Sequence, residues 1–288
     1  MRKHPELCDR VFVLGVGAQR SGTSWLHTYL ASHTCVYMSE IKELHYFNAQ
    51  WNEKHRRYAH DQFALALRQL QHGIHRSGSA LPSEVAAQGV RAMRDRLAMF
   101  EHGDQAYIDF FSRRVTPDHT HFGEITPAYS MLPVESLRHI RSLFPNILIV
   151  FLMRDPVQRI HSALNMRGPT VTATTNEKFR WALSEPSILE RTRYDLTITN
   201  LRKVFPGERL FFGFYETLFC DASIRSMCEF LGLPFKPGDY KQHVNASAGQ
   251  QRGSLSAEQI KAGMSALAET YAFCRHEFGA AIPANWYG

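Results

Sequence analysis

Two apolar runs constrain the fold of this chain more than any other feature of its sequence. Val11–Gly17 and Ile147–Met153 are apolar throughout instead of alternating with polar residues. Strands with this pattern are buried on both faces, as they are in parallel sheets covered by helices. Two further strands are predicted at His121–Glu124 and Arg209–Tyr215. The chain is therefore predicted to be an α/β protein.

Helical patterns separate these strands along the chain. Helices are predicted at Ser24–His33, Val134–Phe144, Pro156–Met166, Ile188–Phe205 and, with Ser256 as N-cap, Ser256–Phe278. Strands alternating with helices imply crossover connections and a sheet with helices on both faces. Residues from about Trp51 to Arg114 are mostly polar and helical. We expect an insertion there, over one edge of the sheet, within a single domain that spans residues 1–288, and a substrate lid or wall can lie in it.

Composition excludes several classes of protein. With 44% hydrophobic and 21% charged residues, the chain is neither disordered nor collagen-like. Its net charge of +6 favours acidic ligands, but scattered Lys and Arg residues argue against a nucleic-acid partner. Five cysteines without CxxC and 15 histidines without paired spacing predict no metal site. Without a signal-peptide core or an apolar run near the roughly 20 residues of a membrane span, we expect a cytoplasmic protein.

A glycine-containing loop follows the first apolar run. Gly17 and Gly22 are separated by four residues, and a helix is predicted to begin directly afterwards. Backbone N–H groups in such a loop, together with the helix N-terminus, bind phosphate. The spacing matches the phosphate loop of nucleotide hydrolases, but Thr23 stands where those enzymes have lysine. The cation of this loop is Arg20, which lies inside it.

The second apolar run ends in a basic and an acidic residue. Arg154 comes first, Asp155 can cap the following helix, and Pro156 occupies its first position. Ser162 lies two turns into that helix, so Arg154 has to fold back over the helix start if both are to bind one anion. Asp155 also allows an alternative, a P-loop kinase or NTPase that binds ATP-Mg through this carboxylate. The adjacent Arg154 argues against that alternative, because it would repel the metal.

Together these two segments resemble the sulfotransferases that use 3′-phosphoadenosine 5′-phosphosulfate (PAPS). Gln19–Ser24 resembles their 5′-phosphosulfate loop, and Arg154–Ser162 resembles their 3′-phosphate site. The resemblance implies a P-loop-like three-layer sandwich with a central parallel sheet. It also implies a set of donor-binding residues, namely Gln19, Arg20, Ser21, Gly22, Thr23, Ser24, Trp25, Arg154 and Ser162, with Arg252 and Gly253 from a C-terminal loop. The family usually has lysine where Arg20 stands.

Two other segments resemble the acceptor side of the same family. Ile41–Phe47 is similar to the Lys-Glu-x-His-Phe-Phe segment of glycan-type sulfotransferases, which implies that Glu43 is the general base, with Lys42 and His45 beside it. In the cytosolic small-molecule branch a histidine is the base, so His45 is the alternative. Gly123–Tyr129 is similar to a Glu-Lys-Ser/Thr-Pro-x-Tyr segment, which makes Glu124 and Tyr129 candidates to line the site.

The implied reaction is transfer of a sulfuryl group from PAPS to an acceptor hydroxyl or amine, without a metal. The product nucleotide is 3′,5′-adenosine bisphosphate (PAP). The acceptor is open between a glycan, a peptide and a small metabolite, because fold and donor do not fix it. A non-catalytic nucleotide or nucleic-acid binder is a third class, suggested by the basic pI.

Overall fold

The computed structural model describes residues 4–73, 80, 82–166, 175–241 and 254–287, and a five-stranded parallel sheet lies at its centre. Its strands are β1 (Val11–Gly17), β2 (Val36–Met38), β3 (His121–Ile125), β4 (Ile147–Met153) and β5 (Leu210–Phe214). They lie in the order β2-β3-β1-β4-β5. The predicted bounds of β1 and β4 are confirmed residue for residue. Strand β2 was not predicted, because three residues are too few to show a periodic pattern.

The apolar runs are continuous because each of these strands contributes to two cores. In β4, Ile149 and Phe151 pack into one core, while Val150 and Leu152 pack into the other. The same alternation divides β1, since side chains point to opposite faces at successive positions of a strand. Both faces of the sheet are therefore covered, as the sequence pattern predicts.

Helices form the two outer layers and the insertion. The described helices are α1 (Pro5–Cys8), α2 (Thr23–Ala31), α3 (Tyr46–Trp51), α4 (Glu53–Gln71), α5 (Ser83–His102), α6 (Asp104–Ser112), α7 (Val134–Leu143), α8 (Pro156–Met166), α9 (Thr175–Ala182), α10 (Pro186–Leu189), α11 (Tyr194–Val204), α12 (Tyr215–Leu218), α13 (Asp221–Leu231), α14 (Ala257–Ala266) and α15 (Ala268–Phe278). Helices α2 and α13 cover one face of the sheet, and α7, α8, α11 and α15 cover the other. The predicted three-layer α/β sandwich is confirmed.

Two predicted helices are each divided in the structure. The helix predicted at Ile188–Phe205 is interrupted at Arg193, whose backbone is not helical (ψ 69°) and whose guanidinium binds Asp195. The C-terminal helix is interrupted at Leu267, which is buried in the main core. In both places tertiary contacts override a helical pattern that looks continuous in the sequence.

The predicted N-cap at Ser256 is confirmed. The Ser256 hydroxyl accepts a hydrogen bond from the backbone N–H of Gln259, whose side chain accepts one from the backbone N–H of Ser256. Arg252 and Gly253, predicted to bind the donor, lie outside the described residues.

The insertion is helical, as predicted, over its described part. Helices α4 and α5 pack against each other around a small core of their own, in which Phe63 stacks on Phe100 at a ring-centroid distance of 5.8 Å. Helix α6 follows and packs against the sheet through Phe110 and Phe111. That the whole chain is one domain stays a prediction. Across the described ranges, no helix has both the length and the apolar character needed to cross a membrane.

Candidate active site

The strand order places a crevice at the carboxyl ends of β1 and β4. These two strands are neighbours, but the chain leaves β1 toward β2 on one side and leaves β4 toward β5 on the other. In open α/β sheets, ligands bind where the connections diverge in this way. The glycine-containing loop after β1 and the Arg154 segment after β4 both lie at this point.

The loop after β1 has the geometry of an anion cradle. Its first residue, Ala18, donates its backbone N–H to Leu152 O of β4 at 2.5 Å, which fixes the loop against the neighbouring strand. Gly22 has a left-handed backbone (φ +85°) immediately before α2 begins at Thr23. The first turn of α2 therefore presents N–H groups and the positive end of the helix dipole to the crevice. The hydroxyl of Ser21 is buried and has no hydrogen-bond partner among the described residues.

Three predicted donor-binding residues come together beside this loop. Arg20 donates from Nε to Ser162 Oγ at 2.9 Å, and Arg154 donates from Nη1 to the carbonyl of Arg20 at 3.4 Å. The Arg154 guanidinium also lies 4.5 Å from the centre of the Tyr215 ring. The β1 loop, the end of β4 and helix α8 thus contribute two cations and a hydroxyl to one place. An anionic ligand is the group that suits such a cluster.

Asp155 caps α8 instead of facing the crevice as a metal ligand. One carboxylate oxygen accepts from the backbone N–H of Gln158 at 2.8 Å, and the other accepts from the Tyr271 hydroxyl at 2.7 Å. Burial raises the pKa of Asp155 despite these hydrogen bonds. With both oxygens engaged inside the protein, the magnesium role that the kinase alternative gives to Asp155 is not supported.

The predicted catalytic segment brings Lys42, Glu43 and His45 together. Lys42 Nζ donates to Glu43 Oε1 at 2.8 Å, and His45 Nε2 lies 3.4 Å from Glu43 Oε2. Burial alone would raise the pKa of Glu43, but the hydrogen bond from His45 and the Lys42 ammonium outweigh it and lower this pKa to about 2. The Glu43 carboxylate is therefore ionised at neutral pH and held between two nitrogen groups.

This segment lies at the same edge of the sheet as the donor loop. The backbone N–H of His45 contacts Thr126 Oγ1 at 3.5 Å, just after β3 ends. Thr126 in turn donates its backbone N–H to Gly15 O of β1 at 2.9 Å. Because β3 and β1 are neighbours, the carboxylate of Glu43 and the loop after β1 belong to adjacent strand ends.

Glu124 and Tyr129 differ from the expectation that they line the site, because both are fully buried. Glu124 Oε1 accepts from the hydroxyls of Tyr107 (2.6 Å) and Tyr129 (2.9 Å). Its Oε2 accepts from Thr126 Oγ1 (2.6 Å) and from the backbone N–H of Leu44 (3.3 Å). Burial raises the pKa of Glu124, and these hydrogen bonds oppose the rise. The carboxylate of Glu124 thus supports the predicted catalytic segment through the Leu44 N–H, and a role of Glu124 and Tyr129 in lining the site stays a prediction.

Comparison with known proteins identifies the family. The sequence profile of the sulfotransferase family matches residues 11–237, more than three quarters of the chain. The chain belongs to the sulfotransferase family. The predicted family and the predicted enzyme class are therefore confirmed. No curated protein matches this sulfotransferase in sequence.

Solved structures of similar fold are also sulfotransferases. One is a sulfotransferase from Alicyclobacillus acidocaldarius, with a TM-score of 0.63 and 18% identity over 96% of this chain and 98% of that one. Another is the sulfotransferase domain of the Synechococcus PCC 7002 olefin synthase, with a TM-score of 0.50 and 19% identity over 95% of each chain. A mouse sulfotransferase complexed with PAP has a TM-score of 0.48 and 11% identity over 97% of this chain and 87% of that one.

The remaining predicted donor residues of this sulfotransferase lie at different depths. Gln19 and Ser24 are half-buried in the loop and the first turn of α2, and Thr23 is buried. Trp25 faces the second core, where its indole N–H donates to Asp239 O at 2.9 Å and its ring stacks on Tyr29. These packing contacts argue against the donor contact predicted for Trp25, which stays a prediction.

Three residues near Glu43 were missed by sequence reasoning. Asn48 Oδ1 lies 3.1 Å from His45 Nδ1, and Asn48 Nδ2 lies 3.3 Å from His55 Nδ1. Arg96 donates from Nε to the carbonyl of Leu44 at 3.2 Å. The spacing of Asn48, three residues after His45 at the start of a helix, was the only local signal. Arg96 and His55 belong to the insertion, and nothing in their neighbouring residues indicates a role.

Proposed function

We propose that this sulfotransferase binds PAPS in the crevice between β1 and β4 and transfers the sulfuryl group to an acceptor hydroxyl or amine. PAPS is the donor, and PAP the product, of the sulfotransferases that its two phosphate-binding segments resemble. The observation that carries the proposal is the cluster of Arg20, Arg154 and Ser162 beside the start of α2.

The donor site divides between two groups of residues. Arg154 and Ser162 would bind the 3′-phosphate, while Gly22, Thr23 and Ser24 at the start of α2 would hold the 5′ side. The buried Ser21 hydroxyl, which lacks a partner among the described residues, supports a ligand in this loop, because an unsatisfied buried hydroxyl costs about 1–3 kcal/mol. Arg20 would stabilise the negative charge that develops on the departing phosphate.

Glu43 is the proposed general base. The acceptor oxygen or nitrogen attacks sulfur, the bond from sulfur to the bridging oxygen of the 5′-phosphate breaks, and PAP leaves with that electron pair. The acceptor proton goes to the carboxylate of Glu43. Because the pKa of Glu43 is low, the proton moves only once the forming bond to sulfur has made the acceptor acidic. Lys42 and His45 hold the carboxylate ionised until then, and His45 is the alternative base.

We also propose that the enzyme works in the cytoplasm on a glycan, peptide or small-metabolite acceptor. Cys35, Cys220, Cys228 and Cys274 are thiols that form no disulfide in the structure, which fits a reducing compartment.

Calorimetric titration with PAP, and with ATP in the presence and absence of magnesium, tests the donor site. We expect metal-independent PAP binding that weakens in Arg154→Ala. The loss should be about 10- to 100-fold, because a hydrogen bond to a charged group contributes about 1.5–3 kcal/mol. Arg138→Ala is the matched control, since Arg138 is an exposed arginine on α7 with only a 3.8 Å contact to Glu135. Folded protein that binds ATP-Mg and not PAP would overturn the proposal and restore the kinase alternative.

Turnover of PAPS to PAP with a panel of glycan, tyrosyl-peptide and phenolic acceptors tests the chemistry. Glu43→Gln should lower the rate at saturating PAPS by about 10²- to 10⁴-fold, the range of general base catalysis, while PAP affinity is unchanged. His45→Gln should retain more activity than Glu43→Gln. The reverse order would make His45 the base.

A further inference from the structure

The backbone between the two candidate catalytic side chains is held at two points. Leu44 lies between Glu43 and His45 and is fully buried. Its N–H donates to Glu124 Oε2 at 3.3 Å, and its carbonyl accepts from Arg96 Nε at 3.2 Å. Glu124 belongs to β3 and Arg96 to α5, so the sheet and the insertion hold the same residue from opposite sides.

The residues on either side of Leu44 have an unfavourable backbone conformation. Glu43 has φ +65° and His45 has φ +59°, both in the left-handed region. For residues with a Cβ this conformation costs about 1–2 kcal/mol each, so it persists only where the surroundings impose it. In this conformation Glu43 Oε2 and His45 Nε2 lie 3.4 Å apart. The hydrogen bonds of Leu44 with Glu124 and Arg96 are in a position to impose this backbone conformation.

Arg96 is built into the protein as a fixed group. It is only 4% exposed, and its guanidinium carbon lies 3.3 Å from the centre of the Phe63 ring on α4. The His45 ring also stacks with Phe63, at a ring-centroid distance of 6.3 Å. A buried arginine requires such partners, because moving its charge out of water is costly. Phe63 and Arg96 are therefore residues through which the insertion packs against the predicted catalytic segment.

Glu124 is fixed equally well from the other side. The hydroxyls of Tyr107, Thr126 and Tyr129 all donate to it. Because these hydrogen bonds hold the Glu124 carboxylate in place, its contact with the Leu44 N–H fixes the position of the backbone at Leu44.

We propose that Arg96 and Glu124 are positioning residues that hold the backbone N–H and carbonyl of Leu44 and thereby keep Glu43 and His45 in contact. The insertion then takes part in catalysis through Arg96, besides any contact it makes with the acceptor. The consequence for the reaction rests on the proposed function, in which Glu43 is the base.

The test uses Arg96→Met, which keeps an unbranched stem over Phe63 but has no N–H to donate. Arg96→Lys restores a donor, and Arg94→Met is the matched control, because Arg94 is exposed on the same helix. The deciding readout is the set of side-chain ¹⁵N and ¹H chemical shifts of His45 at fixed pH in protein labelled with ¹⁵N-histidine. His45→Gln assigns the signal, and Glu43→Gln gives its position when the carboxylate contact is lost.

In Arg96→Met the His45 signal should move toward its position in Glu43→Gln, and Arg96→Lys should bring it back. The rate at which the enzyme converts PAPS to PAP with water as the acceptor should fall about 100-fold. A displacement of about 1 Å at a reacting group has an effect of this size. PAP affinity should not change. Glu124→Gln should shift the same signal, and it decides the matter if Arg96→Met does not fold.

The proposal would be overturned if His45 in folded Arg96→Met had the same chemical shifts as in the wild type. If Arg96→Met does not fold, the same result in folded Glu124→Gln would overturn it. So would an Arg94→Met effect as large as that of Arg96→Met. If Glu43→Gln instead released PAP at the wild-type rate, the proposed base would be wrong, while the His45 shifts would still decide whether Arg96 positions the pair.

Discussion

Gly22 offers a test of the donor loop whose magnitude can be worked from the structure. Its φ of +85° is left-handed, which costs a residue with a Cβ about 1–2 kcal/mol. A Cβ at this position would lie 2.9 Å from Leu218 Cδ2 and 3.3 Å from Tyr215 Cδ2. Overpacking of this kind costs about 1–3 kcal/mol, and the Leu218 methyl can move, which favours the lower half of that range. Gly22→Ala should therefore lower the free energy of unfolding by about 2–4 kcal/mol.

Two other glycines separate the conformational cost of a positive φ from the packing cost of an added Cβ. Gly232, at the end of α13, has φ +70° and no described atom within 4 Å of a built Cβ, so Gly232→Ala should cost only the conformational part, about 1–2 kcal/mol. Gly207 has neither a positive φ nor a described neighbour that close. Gly207→Ala should be neutral or slightly stabilising, because it reduces the entropy of the unfolded chain.

Urea denaturation followed by circular dichroism measures all three variants, with and without PAP. At a PAP concentration 100 times the dissociation constant, binding stabilises the folded protein by about 2.7 kcal/mol. The Gly232 and Gly207 variants should keep this increment. Gly22→Ala should lose most of it, because the added methyl displaces the turn that precedes α2. A Gly22→Ala variant no less stable than Gly207→Ala, with its full PAP increment, would refute the reasoning.

Three further predictions concern the sheet, the base and the second core. Gly15→Ala would place a Cβ 2.7 Å from Ile125 Cγ1, so its cost of about 1–3 kcal/mol should shrink in an Ile125→Ala background, as a double-mutant cycle in urea would measure. Since the folded-state pKa of Glu43 is lowered from 4.5 to about 2, its ion pairs stabilise the protein above pH 4.5 and are lost as the pH falls toward 2. In acid titrations of stability, Glu43→Gln should therefore destabilise the protein at neutral pH, and its stability should approach that of wild type as the pH falls from 4.5 toward 2. Trp25→Phe should lower the free energy of unfolding by about 0.5–1.5 kcal/mol through loss of the hydrogen bond to the carbonyl of Asp239, while calorimetry finds PAP affinity unchanged.

The parts of this fold that the sequence predicted are those whose residues carry their own pattern. Strands β1 and β4 are buried on both faces, so the requirement for apolar side chains falls on every residue of each run. The donor cluster was predicted because Arg20 lies three residues after β1 and Arg154 directly after β4. Strand β2 could not be predicted in the same way. Its three residues form a strand because β3 pairs with them through Met38 and Gly123, a contact that local pattern does not encode.

Glu124 shows why a motif can predict a neighbourhood and still misplace a side chain. In β3, Phe122 packs in the main core, and Glu124 is two residues further along, so strand alternation puts both on the same face. A carboxylate on a core-facing position is tolerated only if donors reach it, and one of these donors is Tyr107, from the α6 helix of the insertion. The same insertion supplies Arg96, which donates to the carbonyl of Leu44. No single segment contains this arrangement, because it exists only where β3, α5, α6 and the segment before α3 meet. The segments proposed to bind the donor can therefore be recognised one at a time from the sequence, whereas the contacts that support the proposed base depend on the insertion and have to be sought in the folded chain.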